Sequence, residues 1–146
     1  MRSKEFDMSF QEKSNLVMTV IIALAYGAYF AMVMPPALNE GPSMEQVGPY
    51  LFAAVVFLVI GGVVGHILVA MAAPKESDQA DERDKLIEMR ADARSSYVLG
   101  TAAILALGLA LTEQNVFWIV HMILGGLVVS ELVKGVLRAI DYRMGV

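Results

Sequence analysis

Four long apolar runs dominate the sequence and restrict what the chain can fold into. They cover residues 16–34, 50–73, 96–111 and 116–137. A helix needs about 20 mainly apolar residues to cross the roughly 30 Å of hydrocarbon in a bilayer. Isolated strands would leave their backbone groups unsatisfied in lipid, so runs of this length predict helices. We therefore expect an all-α polytopic membrane protein, with four transmembrane helices in an up-down-up-down bundle.

The composition agrees with this class and excludes others. Hydrophobic residues make up 57% of the chain and charged residues 18%, whereas soluble domains have about 45–50% and about 25%. A net charge of -4 argues against direct nucleic-acid binding. The chain has no cysteine, and the motifs of metalloproteases, phosphate-binding loops and serine hydrolases are absent. The sequence predicts no enzymatic activity, no catalytic residue, no metal site and no cofactor.

The positive charges predict an orientation in the membrane. All 11 lysines and arginines lie in the N-terminal segment, in the loop 74–95 or at the C-terminal end. The loops 35–49 and 112–115 contain none. Because loops rich in lysine and arginine stay in the cytoplasm, both termini and the loop 74–95 are expected there. We expect a multi-pass protein of the cytoplasmic (inner) membrane, with the lipid bilayer as its first partner.

Three ionisable side chains fall within the predicted spans, where such groups are rare and often functional. They are His66, His121 and Glu131. At a rise of about 1.5 Å per residue, His66 and Glu131 both lie roughly 10 Å inside the cytoplasmic boundary. Together they could share a proton, or bind a divalent ion with a second chain. Alternatively, Glu131 forms a ladder with Lys134 and Arg138, and His66 donates a hydrogen bond to a helix carbonyl.

His121 is expected near the opposite side of the membrane. It lies about 15 Å from His66 in depth, from the same helical rise, so the two histidines of one chain cannot ligate one haem. The side chains nearest to it in depth are Tyr26, Tyr29 and Glu113. This position predicts an interfacial anchor.

Small residues at a spacing of four predict where the helices approach each other. In lipid, helices associate through close backbone packing more than through burial of apolar surface. The sequence leaves open whether these stripes pack within one chain or in a homo-oligomer. The stripes are Ala23-Gly27-Ala31, Gly61-Gly65, Ala102-Ala106-Ala110 and Gly126-Ser130.

The loop segment 81–94 is predicted to be a helix that continues into the third span. It contains no glycine or proline, and opposite charges recur at helical spacing, as at Asp81 and Lys85. It is expected to dock either a cytosolic or membrane protein partner or the bundle's own inner surface, and a solvated linker helix is the alternative. The candidate docking residues are Arg83, Leu86, Ile87 and Arg90.

This segment also carries a resemblance. The run Asp81-Glu82-Arg83-Asp84, followed by Ile87 and Arg90 and then by a membrane span, resembles a group of small uncharacterised prokaryotic four-span membrane proteins. These proteins share a D-E-R-x-x-x-I type motif before the third span. The resemblance implies the four-span fold and a setting in which members often accompany small helix-turn-helix regulators. It implies no catalytic residues.

These observations predict a non-enzymatic integral membrane protein that acts through protein–protein interaction or sensing, with the 81–94 helix as its docking face. One alternative is a small ion or proton carrier that uses His66 and Glu131. The other is an accessory subunit of a larger membrane complex. A homo-oligomer is compatible with each of these functions.

Overall fold

The computed structural model describes residues 9–45, 47–72 and 82–144. Within these ranges the chain forms four helices: α1 (Phe10–Asn39), α2 (Val47–Ala72), α3 (Glu82–Leu111) and α4 (Val116–Met144). All four are long and apolar enough to cross a membrane by length and composition. The prediction of an all-helical chain with four membrane-length helices is thus confirmed.

The helix starts use the caps that the sequence offers. The Ser9 side chain accepts a hydrogen bond from the backbone N–H of Glu12 at 3.2 Å. Asn115 caps α4 in the same manner, since its Oδ1 accepts from the backbone N–H of Phe117 at 2.9 Å. Such side chains satisfy N–H groups that have no partner within the helix. For α3, the sequence predicts a cap at Asp81 or at Ser77 and Asp78, and these residues lie outside the described residues.

The first helix is longer than its apolar run. The apolar run ends at residue 34, directly before Pro35 and Pro36, yet α1 continues through both prolines to Asn39. Each proline removes one backbone donor, and neighbouring helices can compensate for this in a membrane protein. Val33 and Ala37 lie one turn apart and are both buried in the core. Their burial on the same side favours continuation of the helix past the prolines.

A four-residue turn joins α3 and α4 and contains one strained residue. Glu113 has a φ of 53°, the left-handed conformation that non-glycine residues rarely adopt. The backbone N–H of Gln114 donates to Leu109 O at 3.0 Å, and that of Glu113 donates to Ala110 O at 3.1 Å. This pair of bonds is a Schellman motif, which ends α3 and turns the chain directly onto α4.

The helices form a row in the order α2, α1, α4, α3, because α1 packs against α2 and α4, and α4 packs against α3. Low-numbered residues of α1 meet high-numbered residues of α4: the Asn15 side chain donates to Gly135 O at 2.9 Å. Tyr29, further along α1, meets His121. The predicted bundle is therefore more open than a closed four-helix arrangement, and α1 and α4 form its centre.

We call the contact between two adjacent helices a seam. Three of the four predicted small-residue stripes lie in seams. A Cβ on Gly126 would collide with the Ala102 side chain, and a Cβ on Gly65 would lie 2.7 Å from Val17 Cγ1. Glycine is required at both places because the neighbouring helix comes so close. Gly135, which the stripes did not include, has the same role, since a Cβ there would collide with Thr19.

The stripe on α1 is different. Ala23, Gly27 and Ala31 are exposed, and nothing lies within 4 Å of the position of a Cβ on Gly27. The buried face of α1 lies on another side of the helix and contains both small and large residues. Its buried members are Phe10, Ala25, Tyr29, Val33 and Ala37.

Candidate functional site

The ends of α3 and α4 opposite their connecting turn pack along each other and carry most of the polar contacts. We call residues 82–95 and 131–144 the charged end. Residues 82–94 are helical and continuous with the rest of α3, as the sequence predicts. Ile87, Ala91 and Ser95 form the buried side of this segment. The Ser130 hydroxyl of α4 donates to Ser95 O at 2.9 Å, which fixes the two helices where the charged end begins.

One side of α3 in the charged end, its acid side, carries Asp84, Glu88 and Asp92. Glu88 binds Arg138 of α4 at 2.8 Å. Asp92 lies 3.5 Å from Arg138 and 3.6 Å from Lys134. The two cations are only 22% and 23% exposed, whereas the side chains of Glu88 and Asp92 are more than half exposed. The positive charges are therefore mostly buried at the contact between α3 and α4, and the carboxylates lie at its exposed edge.

Tyr142 completes the acid side near the end of α4. Its hydroxyl donates to Asp84 Oδ1 at 2.9 Å. Burial, and then the hydrogen bond to the Asp84 carboxylate, raise the pKa of Tyr142 well above its usual range. The phenol therefore remains a hydrogen-bond donor throughout the physiological pH range. The Arg83 guanidinium donates to the backbone oxygen of Tyr142 at 3.1 Å, so both edges of α3 contact this residue.

Glu131 belongs to this network and not to a pair with His66. Its carboxylate lies 2.7 Å from Lys134 Nζ, one of the partners expected for it, and its side chain is 47% exposed. His66 is exposed on α2 and makes an edge contact with the Phe10 ring at a centroid distance of 5.6 Å. No hydrogen bond or ion pair joins His66 to Glu131 within the described residues. The physical reason is the helix order, because α1 stands between α2 and α4.

A polar cavity of about 400 Å³ opens between the start of α1 and the acid side. Amide and hydroxyl groups of α1 face the charges of α3 and α4 across it. The side chains that determine its character are Gln11, Asn15, Glu88, Glu131, Lys134 and Arg138. Positive and negative groups balance along its wall, which gives the cavity no net preference for an anion or a cation.

His121 has a structural environment deep in the α1–α4 seam. It is 6% exposed, and its Nε2 lies 2.8 Å from the Tyr29 hydroxyl. Its Nδ1 lies 2.7 Å from Phe117 O, which can only accept. In the neutral ring, Nδ1–H therefore donates to Phe117 and Nε2 accepts from Tyr29. The expected proximity to Tyr29 is present, but both ring nitrogens are occupied, so the group serves as a buried polar link between helices.

The four candidate docking residues do not share one surface. Ile87 is 1% exposed and belongs to the core of the charged end, so it has to be removed from the docking face. Arg83 binds Tyr142, as described above. Leu86 is 37% exposed. Arg90 is partly exposed and makes no hydrogen bond or ion pair with the described part of the chain.

An exposed apolar stripe runs along α3 on the side opposite its buried residues. Consecutive members are three or four residues apart, which keeps them on one helical face. The stripe begins in the charged end, before the predicted span at 96–111. Of this stripe, only Leu86 was among the candidate docking residues, although the spacing of three and four residues is present in the sequence. Its members are Leu86, Met89, Ala93, Tyr97, Gly100, Ile104, Leu107 and Leu111.

A separate apolar groove of about 730 Å³ lies over α4, between α1 and α3. Met34 of α1 forms one wall, and Val98, Thr101 and Leu105 of α3 form the other. The floor is α4, where the glycine pair at 125 and 126 leaves room. Pattern analysis of single helices missed this groove, because it is created by the spacing between three of them.

Comparison with known proteins yields no identification: the chain matches no protein-family model, no curated protein and no solved structure.

Proposed function

We propose that the chain is a multi-pass protein of the cytoplasmic membrane whose exposed α3 stripe binds a helix of another protein. In this proposal the helices cross the membrane in alternating directions, and both termini and the charged end are cytoplasmic. The support is the distribution of lysine and arginine. The proposal assigns no enzymatic activity and no cofactor. It includes the suggested kinship with four-span proteins that carry the D-E-R-x-x-x-I motif.

The observation that carries the proposal is the continuation of the apolar stripe into the charged end. Along the span, lipid covers Ile104 and Leu107, which are 70% and 63% exposed. Leu86 and Met89 lie two to three turns beyond the predicted span, and Met89 is 62% exposed. Large apolar side chains in a row outside the bilayer are typical of helix-in-groove or helix-on-helix recognition.

The charges beside the stripe favour an acidic partner helix. Lys85 and Arg90 lie at its two edges, five residues apart along α3. In a parallel pair of helices, edge residues five apart face each other across the interface. A second copy of α3 would therefore place Lys85 opposite Arg90, and like charges repel. A partner with aspartate or glutamate at those edge positions gains two favourable pairs, so it is favoured over self-association.

The proposal includes the accessory-subunit role but not the carrier role. An accessory subunit uses the same stripe, with the partner helix in a larger membrane complex. A carrier would need His66 and Glu131 to act together, and the helix order separates them. Glu131 is paired with Lys134, which gives it a structural partner.

Photocrosslinking in native membranes tests the docking face. A photoreactive amino acid replaces Met89 on the stripe, and the matched control replaces Met144, which is similarly exposed but lies on α4. We expect position 89, and not 144, to capture a protein whose captured segment is an amphipathic helix with acidic edges. Arg90→Glu should reduce this adduct at least about tenfold, and an acid-to-lysine change in the partner should restore it.

Three results would overturn the docking proposal. They are capture of only a second copy of the chain at position 89, capture of only lipid there, and an adduct that Arg90→Glu leaves unchanged. Circular dichroism and thermal unfolding of the purified variants establish that the helices remain intact. A variant that fails this control is replaced by Arg90→Gln, which removes the positive edge without adding a negative charge.

A further inference from the structure

We propose that the apolar groove over α4 binds an anionic phospholipid of the cytoplasmic leaflet, with its chains in the groove and its phosphate on Arg90 and Arg94. This inference uses the proposed membrane orientation, but it does not depend on a protein partner.

The length of the groove matches one leaflet of a bilayer. Its α3 wall runs from Val98 to Leu109, roughly 16 Å at the helical rise and about half of the hydrocarbon thickness. The groove has a volume of about 730 Å³ and is open along its side. The hydrocarbon chains of one lipid extend over this length, which favours them as the occupant.

The lining has the chemistry of a hydrocarbon site. Most lining side chains are aliphatic or methionine, and the thioether chains of Met34 and Met122 adapt to irregular shapes. Two of the polar residues in the lining, Thr101 and His121, already have partners for their side chains. The Thr101 hydroxyl donates to Tyr97 O at 2.8 Å, and His121 is bonded to Tyr29 and Phe117. The groove therefore offers apolar contact along its length and leaves polar recognition to its end.

Two arginines continue the groove wall beyond its cytoplasmic end. Arg94 precedes Val98, Thr101 and Leu105 by four, seven and eleven residues, the spacings that keep residues on one side of a helix. Arg90 lies one further turn away on the same side. The acid side of α3 faces the polar cavity instead. The helix thus directs its carboxylates to α4 and the cavity, and its arginines to the end of the groove.

Both arginines keep donors for a phosphate group. Arg94 is 56% exposed and forms an ion pair at 3.7 Å with Asp141, whose side chain is only 7% exposed. A guanidinium has five N–H donors, so this ion pair leaves others for a second anion. Arg90 makes no hydrogen bond or ion pair with the described part of the chain. Arginine binds phosphate oxygens with two parallel hydrogen bonds. The two arginines therefore favour an anionic lipid over a zwitterionic one, whose own positive charge partly neutralises the phosphate.

Native mass spectrometry of the full-length protein in mild detergent tests the lipid site. The probes are phosphatidylglycerol and phosphatidylcholine with identical chains, added at equal concentration. We expect the wild type to retain phosphatidylglycerol at least about tenfold better, a difference of 1.4 kcal/mol. Arg90→Gln with Arg94→Gln should remove this preference. The matched control, Lys13→Gln with Lys85→Gln, removes the same charge elsewhere and should keep it.

A second variant tests the groove separately from the arginines. Thr101→Trp places a large ring in the groove and should reduce binding of both lipids. Ile104→Trp, on the exposed stripe, should leave binding unchanged. Equal binding of the two lipids to the wild type, or an undiminished preference in the double arginine variant, would overturn the inference. Failure of the Met89 crosslink with a retained lipid preference would reject the docking proposal alone, so the two proposals can be distinguished.

Discussion

The two ends of the helix row are held by different contacts. At one end, α2 packs on α1 through Gly61 and Gly65, which lie against the β-branched side chains of Ile21 and Val17. At the other end, α3 packs on α4 through Gly126 and then continues beyond the predicted span as the charged end. There ion pairs and side-chain hydrogen bonds tie the two helices together. At the first seam a Cβ on glycine would lie 2.7 Å from Val17 Cγ1 and 3.2 Å from Ile21 Cγ2, whereas at the second it would collide with the Ala102 side chain. The second seam therefore combines a closer approach of the helices with polar links.

This difference indicates which part of the molecule can carry recognition. Both proposed binding surfaces, the stripe and the groove, use α3, which is held along its length by α4. A site on a rigid pair of helices keeps its geometry when a ligand binds. The outer face of α2 is mostly apolar, with Phe52, Phe57 and Ile60 all more than half exposed. That face suits lipid contact in general, and His66 is an isolated exposed polar side chain on this helix.

The largest expected effect on the free energy of unfolding comes from adding one methyl group to a glycine in each of the two seams. Gly126→Ala forces a methyl group onto the Ala102 side chain, which is short and cannot move aside. We expect a loss of about 2–3 kcal/mol in the free energy of unfolding, typical of overpacking. Gly65→Ala places its methyl group 2.7 Å from Val17 Cγ1, a smaller overlap than the one at Ala102, so about 1 kcal/mol is expected. Thermal or SDS unfolding followed by circular dichroism measures both.

Gly27→Ala provides the control for these two substitutions. Nothing lies within 4 Å of its added methyl group, and alanine favours helix over glycine by up to about 1 kcal/mol. We expect this variant to equal or exceed the wild type in stability. If Gly65→Ala proved as costly as Gly126→Ala, the two seams would be equally rigid and the contrast between them would be rejected.

The next substitution tests the hydrogen bond between Tyr29 and His121, which links α1 to α4. Tyr29→Phe removes the hydroxyl that binds His121 Nε2 and leaves a buried nitrogen unpaired. We expect a loss of about 1 kcal/mol, in the range measured for hydrogen bonds between membrane helices. His121→Phe added to this variant removes the unpaired nitrogen and should cost little more. A double-mutant cycle with no coupling would show that packing alone, and not the hydrogen bond, joins α1 to α4.

A smaller effect is expected in the charged end. Arg138→Met breaks the bonds to Glu88 and Asp92. Because both carboxylates are more than half exposed, water compensates them, and about 0.5–1 kcal/mol is expected at low salt. The loss should shrink as salt rises to about 0.5 M, since screening weakens exposed pairs. Stability measured across a salt series tests this.

Lys85→Met is the matched control for this substitution. Its pair with Glu82 is fully at the surface, with side chains 63% and 89% exposed. We expect its effect to stay within about 0.5 kcal/mol at every salt concentration. A salt-independent loss at Arg138 would assign the stabilisation to packing of the arginine stem and not to charge.

The sequence predicted the helices better than their faces. Length and apolar content were enough to predict four membrane-length helices, and mixed charges at helical spacing predicted that 82–94 continues into α3. In a span, however, the face toward lipid is as apolar as the face toward protein. The Ala23-Gly27-Ala31 stripe therefore looked like a packing face, while the structure buries Tyr29 and Val33. Only the contacts between helices distinguish the two.

In the candidate site, too, the sequence predicted contacts within one helix but not contacts between helices. The expected list of partners for Glu131 included Lys134, its neighbour at i+3, and local spacing was sufficient to find that pair. The pairing with His66 required knowledge of which helices are adjacent. Depth in the membrane was estimated from the helical rise, but depth does not define lateral position. The groove and the polar cavity could not be predicted for this reason, since each is shared by three helices.

An effect of similar size but opposite sign is expected in the turn that joins α3 and α4. Glu113 adopts a φ of 53°, a conformation that costs a non-glycine residue about 1–2 kcal/mol. Glu113→Gly relieves this strain but gives the unfolded chain more freedom, so a net gain of about 0.5–1 kcal/mol is expected. Thr112→Gly, one residue earlier at an ordinary φ, adds the same freedom without relief and also loses the hydroxyl bond to Gly108 O. We therefore expect it to lower stability. Thermal unfolding of both variants in the same detergent measures the difference, and a Glu113→Gly protein no more stable than Thr112→Gly would show that the turn adapts and does not fix the register of α3 on α4.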